Sequence, residues 1–143
     1  EAALAFLGKK ALSTGELRQA LEKKGFPQPQ IDDAIHRMRK FGYLNDEIIG
    51  NRLLEETLRK KKGWLWLRKR LVDREIPDDI IENLFEESQQ TACERAGESL
   101  EKKLRYKALS RTQAFRFLLN RGFELDVVHD VIQAQFNEAL PLE

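Results

Sequence analysis

Apolar and polar positions along this chain follow a helical period, and one arrangement of them occurs three times. Two apolar residues four apart lead to a turn position, an apolar residue follows the turn, and an i, i+3, i+4 apolar triplet comes five residues later. The first copy is Leu17, Leu21, Gly25, Phe26, Ile31, Ala34 and Ile35. The second is Leu67, Leu71, Glu75, Ile76, Ile81, Leu84 and Phe85. The third is Ala114, Leu118, Gly122, Phe123, Val128, Val131 and Ile132. The turn positions Gly25 and Glu75 lie 50 residues apart, and Glu75 and Gly122 lie 47 apart. Each copy predicts a helix–turn–helix unit, and repetition at this period predicts an all-α tandem array of such units. An array of this kind offers a long surface rather than an enclosed pocket.

The signals between these copies complete three three-helix units, at residues 1–44, 45–89 and 90–143. In the first, a helix from Ala2 to Lys10 precedes one opened by Ser13 with Glu16, a capping box in which each side chain answers the other's exposed N–H. Gly25 ends it, and Pro27 and Pro29 start a third helix carrying Ile31, Ala34, Ile35 and Met38 inward up to Gly42. In the second unit, Asn45 or Asp46 caps a helix to Lys62 with Ile49, Leu53, Leu54 and Leu58 on its buried side. Gly63 breaks it, a helix from Trp64 to Arg74 follows, and Pro77–Asp78 begins the next. Glu75 stands at the turn where the other units have glycine, which predicts a different turn or mild strain. The third unit has helices from Gln90 to Tyr106, from the Ser110–Gln113 capping box to Gly122, and from Leu125 to Glu138. Nine helices and no strand result.

Composition supports slender helical units. Apolar residues make up 41% and charged residues 34%, enough for a core under much exposed surface. No apolar run reaches the length of a membrane span, and no signal-like segment opens the chain. The single cysteine, Cys93, leaves no internal disulfide and fits a reducing compartment, the cytoplasm.

The net charge of +1 hides strong segregation. From Thr57 to Val72 stand Arg59, Lys60, Lys61, Lys62, Arg68, Lys69 and Arg70 with no acid. From Lys102 to Phe123 stand Lys102, Lys103, Arg105, Lys107, Arg111, Arg116 and Arg121, again with no acid. The stretch between them, Asp73 to Glu101, holds ten acids against Arg74 and Arg95. Such blocks set up local potentials that the total conceals.

Several local strings together resemble the RecX family of bacterial regulatory proteins. Glu16-Leu17-Arg18 with Leu21 and Lys24-Gly25-Phe26 is similar to the family's leading repeat, and Gly42-Tyr43-Leu44-Asn45-Asp46-Glu47 to its junction. Lys62-Gly63 with Leu67-Arg68 and Leu71 resembles the central repeat, and Phe117-Leu118 with Arg121-Gly122-Phe123 the last. Ile49, Glu75 and Ala114 depart from the usual Phe, Gly and Leu. The resemblance implies an elongated, curved array that docks in the groove of a filament of the recombinase RecA on single-stranded DNA. It also implies modulation of filament assembly, ATPase, strand exchange and co-protease activity in DNA repair, recombination and the SOS response, with inhibition the expected direction.

The residues fit a monomeric groove binder of a polyanionic filament. Arg59, Lys60, Lys61, Lys62, Arg68, Lys69 and Arg70 are its expected main basic surface. Lys102, Lys103, Arg105, Lys107 and Arg111 form a second, supported by Lys23, Lys24, Arg37, Arg39 and Lys40. Arg18 and Arg68 hold equivalent positions and serve either binding or an internal salt bridge. Trp64 and Trp66, two apart, cannot share a helix face: both pack in the core, or one lies beside the basic run as an aromatic contact. Tyr43 and Tyr106 are expected to pack between units, and Cys93 to be a small buried residue. No cofactor or metal is implied, since His36, His129 and Cys93 lack companions at ligand spacing. The helix-start pairs Asp32-Asp33 and Asp78-Asp79 suit the helix dipole, and no phosphate loop or nucleophile elbow is present, so no enzyme is read here. Two other readings stay open: a non-specific DNA-binding protein of tandem helix–turn–helix units, and a scaffold for an ordinary protein partner.

Overall fold

The computed structural model describes residues 2–136, which form nine α-helices and no strand. The helices are α1 (Ala2–Lys9), α2 (Thr14–Lys23), α3 (Gln28–Lys40), α4 (Asp46–Arg59), α5 (Trp64–Asp73), α6 (Asp78–Gln89), α7 (Ala92–Tyr106), α8 (Arg111–Asn120) and α9 (Leu125–Phe136). The expected extension of the last helix to Glu138 lies outside the described residues. Among the described residues no helix is long and apolar enough to cross a membrane.

Local chemistry sets the helix ends. The two capping boxes form as the spacing requires. Ser13 Oγ accepts from Glu16 N–H at 3.1 Å while Glu16 Oε1 accepts from Ser13 N–H at 2.9 Å, and Ser110 with Gln113 repeats both distances. Asn45 caps α4, its Oδ1 accepting from Ile48 N–H at 3.1 Å. Asp46 instead accepts from Thr14 N–H at 2.8 Å, placing a buried carboxylate at the start of α2, where the helix dipole favours it.

Five helices end in one hydrogen-bonding pattern. The N–H of the third residue past the helix bonds back five positions and that of the second bonds back three, with the second in the left-handed region. Gly25, Gly42 and Gly122 take that place at φ +89°, +83° and +92°. Lys61 ends α4 the same way, with Lys62 N–H to Thr57 C=O at 2.9 Å, and Glu75 ends α5, with Ile76 N–H to Leu71 C=O at 3.0 Å. Both lie at φ 55°. A side chain there is strained, because Cβ crowds the following carbonyl. So the turn at Glu75 is built like the glycine turns and carries the strain. A second such turn at Lys61 stops α4 short of the expected Lys62.

The chain divides into two compact units. Among the described residues, the first comprises 2–53 and Arg70–Asn83, and the second Leu54–Lys69 and 84–136. The first unit's core is Ala3, Leu12, Leu17, Leu21, Ile31, Ile35, Met38 and Leu44. Phe26, expected inward after its turn, is 38% exposed, whereas its counterparts Ile76 and Phe123 are buried. Glu75 lies against Gly15, where an added Cβ would come within 2.8 Å of the Glu75 Cβ. Arg74, just past α5, reaches the capping box, donating to Glu16 Oε2 at 2.8 Å and to Ala11 C=O at 2.9 Å.

The second unit is built on Ala92, Ala96, Leu100, Ala114, Leu118, Phe123, Val127, Val128, Val131 and Ile132. Small residues on α7 let its backbone lie close to α9. Trp64 joins this unit's buried set and meets Phe85 edge-on, centroids 5.0 Å apart. Gly63 runs directly against the turn at Gly122. Gly63 N–H bonds Arg121 C=O and Leu65 N–H bonds Gly122 C=O, both at 2.9 Å, and a Cβ on Gly63 would sit 2.4 Å from Gly122 backbone atoms.

Three expectations fail on exposure. Tyr43 and Tyr106 are 57% and 80% exposed, so neither packs between units. Cys93 is exposed on the outer side of α7, one position past the buried Ala92.

Candidate functional site

The second unit carries a groove of about 540 Å³ lined by Arg59, Lys60, Lys61, Lys62, Ser99, Lys102, Lys103, Tyr106, Phe117 and Arg121. Two basic runs some forty positions apart in sequence therefore meet on one surface. The end of α4 supplies one side, α7 another, and α8 with its turn the third.

The turn from Lys60 to Gly63 is held by its backbone. Arg121 donates from Nη2 to the Lys60 and Lys61 carbonyls and from Nε to Lys61 C=O. Ser99 Oγ donates to Lys61 C=O at 2.9 Å, and Arg95 Nε to Lys62 C=O at 3.1 Å. With these carbonyls tied inward, the lysine side chains stand at the rim. Arg95 is 4% exposed, and its guanidinium also reaches Ser88 C=O at 3.0 Å, Thr91 Oγ1 at 2.6 Å and Ser88 Oγ at 3.1 Å. Every acceptor in that set is neutral. Burial draws both Arg95 and Arg121 below the usual guanidinium range, Arg95 being the deeper, and each remains a cation at neutral pH.

Aromatic rings adjoin the charge. The ammonium groups of Lys60 and Lys62 lie 5.6 and 5.7 Å from the ring centre of half-buried Trp66. Lys103 Nζ and Arg121 Cζ are each 5.7 Å from that of Phe117. Cation–π contact at this range orients long side chains at small energetic gain. Two ion pairs lie at the edge, Lys60–Glu56 at 2.8 Å and Lys61–Glu98 at 3.8 Å, both partly exposed and so weak and salt-sensitive.

Of the expected main surface, Arg59 to Lys62 line the groove, while Arg68 and Lys69 are exposed on α5 and Arg70 is half-buried. Of the second surface, Lys102 and Lys103 line it; Arg105 instead borders a shallow depression with Glu101, Leu104 and Gln135, and Lys107 and Arg111 are exposed. Lys23, Lys24, Arg37, Arg39 and Lys40 are exposed in the first unit, where Arg37 pairs with Asp33 at 3.3 Å. Arg18 bonds Asp32 at 2.9 Å and Gln28 at 3.1 Å, the internal pairing considered for it. Trp64 is core and Trp66 stands beside the lysines. Sequence reading missed Arg121, Phe117 and Ser99 as groove residues. Their signal was faint: Arg121 sits one residue before a turn glycine, as Lys24 does, and nothing local says which backbone it will meet.

The histidines have ordinary surroundings. His36 is exposed, and His129 meets Phe115 edge-on at 5.1 Å. Among the described residues no group of three metal-ligating side chains converges.

Residues 1–38 match the family model described as "RecX, first three-helix domain". Regulatory protein RecX of Chlorobaculum tepidum is 30% identical over 141 residues, covering 95% of this chain and 87% of that protein. Its Legionella pneumophila counterpart is 27% identical, covering 93% and 91%. Among solved structures, RecX from Lactobacillus salivarius superposes with a TM-score of 0.77 at 22% identity, over 93% of this chain and 91% of that one. The fold is thus that of all-α proteins built from tandem three-helix units. Within that class, the chain belongs to the RecX family, whose members compared here are named regulatory proteins.

Proposed function

We propose that this protein binds RecA and RecA–single-stranded DNA filaments in the filament groove and inhibits recombinase, ATPase and co-protease activity, as a cytoplasmic monomer. The observation that carries the reading is the convergence of Arg59–Lys62 with Lys102 and Lys103 in one cationic groove. A filament that displays phosphates at regular intervals presents such a groove with repeated anions, and steering by the local field speeds encounter. Several helical units in one chain can add contacts, each raising the effective concentration for the next. Any nucleotide hydrolysis in such an assay belongs to the recombinase.

The test is RecA's single-stranded-DNA-dependent ATPase with this chain at substoichiometric ratio, read beside co-sedimentation on filaments. Inhibition by the native chain, and its loss in the Lys60→Glu/Lys61→Glu/Lys69→Glu variant at unchanged helicity, is the expected result. Unchanged affinity and salt dependence in the variant would remove the basic groove from the account. No rate change and no co-sedimentation would remove the recombinase.

A second reading, direct non-specific binding of DNA, is favoured by Trp66 and Phe117 beside the lysines, since rings next to cations suit bases next to phosphates. Binding to free single strands that disappears at physiological salt, with filament binding persisting, selects the first reading.

A further inference from the structure

A different surface, on the first unit, has the chemistry of a peptide site. Helices α1 and α2 enclose a groove of about 590 Å³ whose lining includes Phe6, Leu12, Ala20 and the four lysines Lys9, Lys10, Lys23 and Lys24. Leu12 is buried, Phe6 and Ala20 are half-buried, and all four lysines are exposed. Lys24 Nζ, at the end of α2 next to Lys23, lies 6.0 Å from the centre of the Phe6 ring. Lys9 and Lys10 stand at the end of α1, where the chain turns back toward α2.

Among the described residues that line the groove, the one acid is already engaged. Glu16 accepts from Ser13 N–H and from Arg74 Nε and Nη2, at 2.8 and 3.2 Å, so its charge is answered within the unit. Four ammonium groups around an apolar floor are left without a compensating carboxylate among the groove residues. Helix-end lysines complement the dipole and ordinarily stand in water. Here they rim an apolar floor, which a helix end does not need.

We infer that this groove docks an acidic protein segment carrying an apolar anchor, with the anchor on Phe6, Leu12 and Ala20 and carboxylates on Lys9, Lys10, Lys23 and Lys24. The occupant is a peptide rather than a nucleic acid because the floor's one ring, Phe6, is half-buried against the core rather than open for stacking, and no arginine lines the groove among the described residues. Phosphodiester recognition draws instead on guanidinium forks and open aromatic faces. The ten residues of α2 extend about 15 Å, which about ten residues of a partner helix would match. Exposed Gln19, on the same face, can meet a backbone group of the guest. This inference is independent of the basic groove on the second unit and of the recombinase reading.

The experiment is fluorescence anisotropy with a labelled acidic peptide bearing a central Leu–Phe pair. Its comparators are the same peptide with that pair replaced by Ser, a single-stranded oligonucleotide of equal charge, and anionic phosphatidylserine vesicles. Saturable peptide binding is expected, reduced about tenfold or more in the Lys9→Glu/Lys10→Glu/Lys23→Glu/Lys24→Glu variant and unaffected by Lys60→Glu/Lys61→Glu. Amide shifts on titration should cluster in α1 and α2. Because Phe6 also packs on the core, the floor is tested by Ala20→Glu, which projects from a half-buried helix surface, with circular dichroism confirming the fold. The proposal is overturned if the Ser peptide binds equally well, if the quadruple variant keeps native affinity, or if oligonucleotide or vesicles outcompete the peptide for this face.

Discussion

At the scale of single residues, strain and charge concentrate at a few helix ends. Glu75 holds a left-handed turn that three glycines hold elsewhere without penalty. Replacing it with glycine removes about 1–2 kcal/mol of steric cost while adding about 0.4–1 kcal/mol of unfolded-state freedom. Glu75→Gly is therefore expected to raise the urea midpoint modestly, and a lowered midpoint would mean that its packing on Gly15 outweighs the strain. Glu124 is a second such position. Burial raises its carboxyl above the usual range, Asp126 adds to that, and a hydrogen bond with Gln89 opposes both. A carboxyl raised on folding binds its proton more tightly in the folded state, so its ionisation costs stability as pH climbs through the folded value. Glu124→Gln should thus raise Tm at neutral pH, and the gain should shrink as pH falls from the raised folded value toward the ordinary carboxylate range and vanish below it. A gain that is constant with pH would assign the effect to packing.

At the scale of elements, what was legible in the sequence was whatever is decided within a few residues. The capping boxes at Ser13 and Ser110, the glycine stops and the buried apolar pair of each repeat stand where spacing put them, because those interactions close inside one or two turns. The helix stop at Lys61 was not legible, since a lysine carries no signal for positive φ. It is made by donors far along the chain: Arg95, Ser99 and Arg121 hold the carbonyls of this turn. Exposure of Tyr43, Tyr106 and Phe26 was likewise beyond local pattern, because an apolar period marks a face without saying what covers its end. The element-scale test is Arg95→Ala. It strands the Lys62 and Ser88 carbonyls in a buried place, and two unmade bonds to a charged donor should cost about 3 kcal/mol or more. Chemical denaturation measures this directly. A loss under about 1 kcal/mol would mean that water replaces the guanidinium.

At the scale of the molecule, the basic runs were readable as composition and unreadable as a site. Nothing in residues 59–62 announces that 102 and 103 will face them, since that depends on how α7 packs within its unit. Arg68, Lys107 and Arg111 show the converse, charge in the same runs that does not line the groove. If one groove carries binding, the two runs are not independent. Lys60→Glu/Lys61→Glu and Lys102→Glu/Lys103→Glu should each weaken filament binding, and their combination should cost less than the product of the two losses. Strictly multiplicative losses in a binding titration would place the runs on separate surfaces.

The backbone contact between Gly63 and the turn at Gly122 bears on how this protein opens. Amides in turns usually exchange with solvent deuterium quickly, because local fraying exposes them. The Gly63 and Leu65 amides point instead at carbonyls of residues 121 and 122, so they are released only when two distant segments of the second unit separate. Their exchange should be as slow as that of the α7 and α9 interior, with protection matching the unit's global unfolding. Two turn amides would then report the opening of the entire unit.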